Sequence, residues 1–161
     1  MLLRTNRFAT FATFAAAAFF SANVCLQAQA RTAVKAAAPC ALLSDAQVKA
    51  VLGSPVQPGQ AGPNECTWKD AKGETRVYLS VKDAGIEYKA FRDQMQATGK
   101  MVPVTGLAED AFYIASSGSS AALYALKAKH LILVTVDGEK ASKADNEGAE
   151  KVLVTQVLPK L

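Results

Sequence analysis

Histidine is almost missing from this 161-residue chain; His130 is the only one. A zinc or copper site built on imidazole needs a second His, a thiolate or converging carboxylates. The sequence neighbours of His130 are instead Lys127 and Lys129, so it reads as a solvated turn residue. Met95 and Met101 could join His130 as soft ligands for copper(I), but no clustered methionine motif accompanies them. Neither a metal nor a cofactor is expected.

Other absences narrow the chemistry further. The serines of residues 116–120 lie in no Gly-x-Ser-x-Gly elbow, and no base is near them in sequence. No Gly-x-Gly-x-x-Gly or Gly-x4-Gly-Lys-Ser/Thr loop is present to cradle a phosphate. The three cysteines, Cys25, Cys40 and Cys66, form no Cys-x-x-Cys pair. Glu109 and Asp110 are neighbours, but adjacent strand residues point to opposite faces, so they make no proton-sharing dyad. One of them is expected to accept from the turn amides after Gly106. Trp68 is the sole tryptophan, and Tyr78, Tyr88, Tyr113 and Tyr124 read as core or sheet-surface residues rather than the lining of a ligand cleft. No catalytic residue emerges, and the chain is not expected to be an enzyme.

What is present begins at the N-terminus. Arg4 and Arg7 precede an uncharged run of Ala, Phe and Thr from Phe8 to Val24, and Ala28-Gln29-Ala30 follows. That order is the three-part signature of a secretory signal peptide, with cleavage after Ala30. The run is short and weakly apolar for a membrane anchor, so no stable span is expected once it is removed. Lipid attachment at Cys25 is the competing expectation, but Asn23-Val24 before it suits that processing poorly. Without residues 1–30, 16 Lys and Arg face 14 Asp and Glu. A domain so close to neutral gives no reason to invoke nucleic acid. Residues 31–38 read as a flexible leader and 39–161 as one domain. Cys40 and Cys66 are left as a pair in an oxidising compartment, which reads as one structural disulfide.

Along the domain, Ser44 with Gln47 three residues on forms a capping-box pattern, Val48, Val51 and Leu52 make the apolar stripe, and Gly53 and Pro55 end the helix. Cys66-Thr67-Trp68 and Glu74 to Val81 read as a β-hairpin, the second strand alternating Thr75, Val77, Leu79 and Val81 with polar residues. A helix from about Ile86 to Ala97, an extended stretch from Met101 to Thr105, and strands over 111–115, 121–127 and 131–136 follow. A last helix runs from about Ser142 or Asp145 to Leu158, with Ala149, Val152, Leu153, Gln156 and Val157 inward. The order α-β-β-α-β-β-β-α predicts an α+β fold, an antiparallel sheet with helices packed on one face.

Pro39-Cys40-x-Leu42-Leu43-Ser44, Val48-x-x-Val51-Leu52-Gly53 and Cys66-x-Trp68 resemble a group of small exported proteins and lipoproteins of unknown function. Val104-x-Gly106-Leu107 before Ala111-Phe112-Tyr113 extends the similarity. The chain departs from the pattern at Ala108, where that group carries Gly, and in the placing of Glu109-Asp110. The resemblance implies a PsbP-like α+β sandwich acting as a binding or accessory domain, and it brings no catalytic residue. The expectation is therefore an exported, non-catalytic binding or accessory protein of the periplasm or extracellular space. An unknown protein or small ligand would meet its open sheet face or the loop from Ser54 to Glu65. The alternative is an immunity or inhibitor protein that neutralises a partner enzyme.

Overall fold

A computed structural model describes residues 38–114, 122–138 and 142–161 of the chain. The segments read as signal peptide, lipidation site at Cys25, leader (all but Ala38) and serine turn at 116–120 lie outside the described residues.

Two short helices open the domain. Pro39 starts α1 (Pro39–Leu42), where its missing N–H costs no hydrogen bond. In α2 (Asp45–Leu52) the capping box forms in both directions: Ser44 Oγ accepts from Gln47 N, and Gln47 Oε1 accepts from Ser44 N. Gly53 ends α2 at φ 67°, donating its N–H to the Lys49 carbonyl, a left-handed position that glycine adopts without a Cβ clash.

The chain then builds β1 (Gln60–Gly62), β2 (Glu65–Lys69), β3 (Thr75–Asp83), α3 (Glu87–Ala97), β4 (Met101–Pro103), β5 (Asp110–Ile114), β6 (Ala122–Lys127), β7 (His130–Gly138) and α4 (Lys143–Val157), with a closing 3-10 turn. The seven strands form one antiparallel sheet in the order β1-β2-β3-β7-β6-β5-β4. The α+β class and the hairpin of β2 and β3 are as the sequence pattern predicts. At one edge β4 falls within the stretch from Met101 to Thr105 expected to be extended, and at the other edge β1 is an addition.

Period-2 alternation divides the sheet into two chemically different faces. Across the strands, Cys66, Leu79, Val134, Leu123 and Tyr113 stand in register on the first face, and all are buried. The core forms there, against Leu42 and Leu43 of the first turn, Val48 of α2, and Leu153, Val154 and Val157 of α4. Burying each of those aliphatic side chains stabilises the fold by roughly 1.5–3 kcal/mol. The next row, Glu65, Ser80, Leu133, Tyr124 and Phe112, faces the other way.

Two details differ from the sequence expectation. First, α3 lies over the second face rather than joining the other helices. Phe91 of α3 meets Tyr124 and Phe112 at ring-centroid distances of 5.3 and 6.3 Å. The chain leaves the sheet at the end of central β3 and re-enters at the far edge in β4, so it must cross β7, β6 and β5. The first face is already occupied by α2 and α4. Second, the inner side of α4 is Asn146, Glu150, Leu153, Val154 and Val157, while Val152 is 47% exposed. The buried stripe has helical spacing, but its first two members are polar, and a search for apolar residues alone sets the stripe out of phase.

Candidate functional site

The second sheet face is only partly covered. None of the 11 residues of α3 is buried. Besides the Phe91 ring, its bonds to the sheet include Tyr88 Oη donating to Asp110 Oδ2 at 2.8 Å and Arg92 Nε donating to the same oxygen at 2.5 Å. Asp110 opens β5, so α3 is pinned near its middle at the β5–β6 side. The other side of the helix stands off β3 and β7.

Between them lies a groove of about 620 Å³, within the size range of small-molecule sites. Tyr78, Leu131, Leu133 and Tyr124 rise from the strands, Tyr88 and Phe91 come from α3, and the turn Ala84-Gly85-Ile86 closes one end. Ser80, Lys82 and Glu87 supply its polar side chains, while Asp83 borders it at the end of β3 with its carboxylate turned to His130. Ile86 stands at the lip, 96% exposed. A large aliphatic side chain so fully in water has no role in the packing of the described residues.

The tyrosines of this groove are hydrogen-bonded phenols. Tyr78 Oη donates to Glu65 Oε2 at 2.8 Å across the β2–β3 pair. Burial first, and the carboxylate second, push the Tyr78 phenol above its ordinary pKa. Burial and then Asp110 push Tyr88 up in the same way, and burial alone raises Tyr124. These groups therefore stay protonated across the physiological range. They offer ring faces and hydroxyls rather than phenolate nucleophiles.

The residues singled out in the sequence fall as follows. Cys40 and Cys66 are joined by a disulfide with a Cα–Cα distance of 5.1 Å. Trp68 packs on the same face two residues after Cys66, its Nε1 donating to Asp45 Oδ1 at 2.8 Å. Asp45 also accepts from Gly59 N at 3.1 Å, which lays the loop against the tryptophan. The stretch from Ser54 to Glu65 is thus anchored rather than free, and part of it becomes β1. His130 is not a solvated turn residue. It begins β7 with its side chain 12% exposed and its Nδ1 3.6 Å from Asp83 Oδ1. Glu109 and Asp110 diverge: Glu109 accepts from Ala128 N at 2.7 Å, in the β6–β7 turn rather than the turn after Gly106, while Asp110 holds α3. Met95 and Met101 belong to α3 and β4. Tyr78, Tyr88 and Tyr124 meet in the groove, whereas Tyr113 faces the core and donates to the Glu147 carbonyl at 2.7 Å.

Sequence reasoning missed one ionisable residue altogether. Glu150 of α4 is fully buried, with Oε1 accepting from Val136 N at 2.8 Å and Oε2 unpaired among the described residues. Burial pushes its carboxyl up to about 8, with Glu147 and Asp137 adding to the effect and the Val136 amide opposing it. A polar residue at a helix position three before Leu153 and four after Asn146 was the available signal. Among the described residues, no group of three His, Cys, Asp or Glu side chains gathers to hold a metal ion, and no helix is long and apolar enough to cross a membrane.

No protein-family model, no curated protein and no solved structure matches this chain.

Proposed function

We propose that this is an exported, non-catalytic binding or accessory protein of the periplasm or extracellular space, and that it binds through the groove beneath α3. The observation that carries the reading is the groove itself, an opening of about 620 Å³ walled by aromatic and leucine side chains between α3 and the sheet. The basic and apolar N-terminal segment with its Ala-x-Ala end supports export, and the Cys40–Cys66 disulfide accords with an oxidising compartment. Two tyrosine hydroxyls of the groove are engaged structurally, Tyr78 with Glu65 and Tyr88 with Asp110, which also holds Arg92. Nothing in that arrangement sets a nucleophile against a base.

Native mass spectrometry of protein taken from its own compartment tests this. A small molecule carried through purification, and lost when Tyr124 is replaced by Ala, is the expected result. A chain starting at Arg31 supports export by cleavage, whereas a lipid on Cys25 would replace that part of the reading with membrane anchoring. The exposed Ile86 favours a second reading, an immunity or inhibitor protein whose partner enzyme covers that side chain. A stoichiometric protein complex that Ile86→Asp abolishes would favour it.

A further inference from the structure

We infer that the groove takes a small organic cation with an apolar body, such as an alkylated aromatic ammonium. The inference rests on the binding reading above and specifies its ligand class. Three features of the walls point the same way.

The first is ring density. Tyr78, Tyr88, Phe91 and Tyr124 all border one groove, and the negative face of an aromatic ring attracts an ammonium group, more strongly when water is displaced. The second is what the hydroxyls do. Tyr78 and Tyr88 each donate to a carboxylate at 2.8 Å, Glu65 and Asp110. A phenol that donates to an anion is polarised towards phenolate, which enriches its ring in electrons and deepens its attraction for a cation. Burial keeps both tyrosines protonated, so this polarisation persists at neutral pH.

The third is charge. Glu87 lines the groove and Glu65 lies beside it, against a single lining cation among the described residues, Lys82. Asp110 is offset by Arg92, and Asp83 has His130 at 3.6 Å. The surroundings therefore lean acidic in a domain where 16 Lys and Arg face 14 Asp and Glu. Lys82 is exposed near the end of β3, where its flexible stem can carry the ammonium out to water. Leu131 and Leu133 provide the apolar floor for the ligand's body.

The test is an NMR titration of the purified protein with three probes of similar size: benzyltrimethylammonium, neutral benzyl alcohol and anionic phenylacetate. Benzyltrimethylammonium is expected to shift the signals of Tyr78, Phe91, Tyr124 and Leu133, with a Kd roughly tenfold below that of phenylacetate. Glu87→Gln should narrow that preference, and Tyr124→Ala should weaken binding of the cation. Should Tyr124→Ala fail to fold, Tyr78→Phe keeps the ring, removes the donor to Glu65 and is expected to weaken the cation selectively. Equal affinity for all three probes, or a preference for phenylacetate, would overturn the cation inference and leave the groove as a binding site. Groove signals unmoved by every probe would overturn both.

Discussion

Replacing Glu150 by Gln should make this protein more stable at alkaline pH and remove a pH dependence that the native chain carries. Glu150 is fully enclosed, its Oε1 accepts from the Val136 amide, and its Oε2 has no partner among the described residues. Ionising it there is costly, because a buried carboxylate loses its hydration. Glu147 and Asp137, the charged groups acting on it, are both acidic, and Tyr113 is a neutral phenol. The carboxyl thus keeps its proton in the folded state up to about pH 8, against 4.5 for a free glutamate.

The sign follows from proton counting. Between those two values the unfolded chain has released the Glu150 proton and the folded chain still holds it. Raising the pH through this window therefore favours unfolding, and the loss is complete above about pH 8. At about 1.4 kcal/mol for each pH step, the window from 4.5 to about 8 corresponds to up to about 5 kcal/mol. The glutamine side chain keeps an oxygen for the Val136 amide and cannot ionise. Urea unfolding of both proteins from pH 4 to pH 9 is the assay, because subtracting one curve from the other cancels every other titrating group. Equal stability near pH 4 and a several kcal/mol advantage for Glu150→Gln at pH 9 are expected. A difference that stays constant within about 1 kcal/mol over that range would refute the reasoning.

Three further substitutions probe the clamp and the turns. Cys40→Ser opens a disulfide between residues 26 apart, and urea unfolding should show a loss of about 3.5 kcal/mol in the chain-entropy model; an unchanged midpoint would mean the bridge does not constrain the chain. Gly59→Ala would place a Cβ 2.6 Å from Trp68 Nε1 and 2.9 Å from Cys66 Sγ, so thermal unfolding should report a loss of about 1–3 kcal/mol, with a change in Trp68 fluorescence as its bond to Asp45 is displaced. Ala128 sits at φ 52° in the β6–β7 turn, a conformation that costs a non-glycine residue roughly 1–2 kcal/mol; Ala128→Gly should therefore raise the melting temperature, and a lower one would contradict the strain.

The local elements were legible because their signals are local. Ser44, Gln47 and Gly53 mark α2 by hydrogen bonds made within a few residues. The alternation from Thr75 to Val81 exposes the two faces of β3 without reference to any other strand. The position of α3 was not legible, since its own residues do not state which sheet face is vacant. Glu150 escaped for a related reason: a carboxylate reads as a solvent-facing residue until its surroundings are known.

The class of fold, the pairing of Cys40 with Cys66 and the expectation of export each follow from composition, spacing or short-range pattern. The place where binding is proposed depends instead on how the elements pack. Tyr78, Tyr88 and Tyr124 are 10 and 36 residues apart along the chain, and strand register together with the crossing of α3 brings them to one groove. Alternation tells which side of a strand a residue faces, but whether that side is filled depends on how distant segments pack. That packing turned tyrosines read as core and sheet-surface residues into the walls of the candidate site.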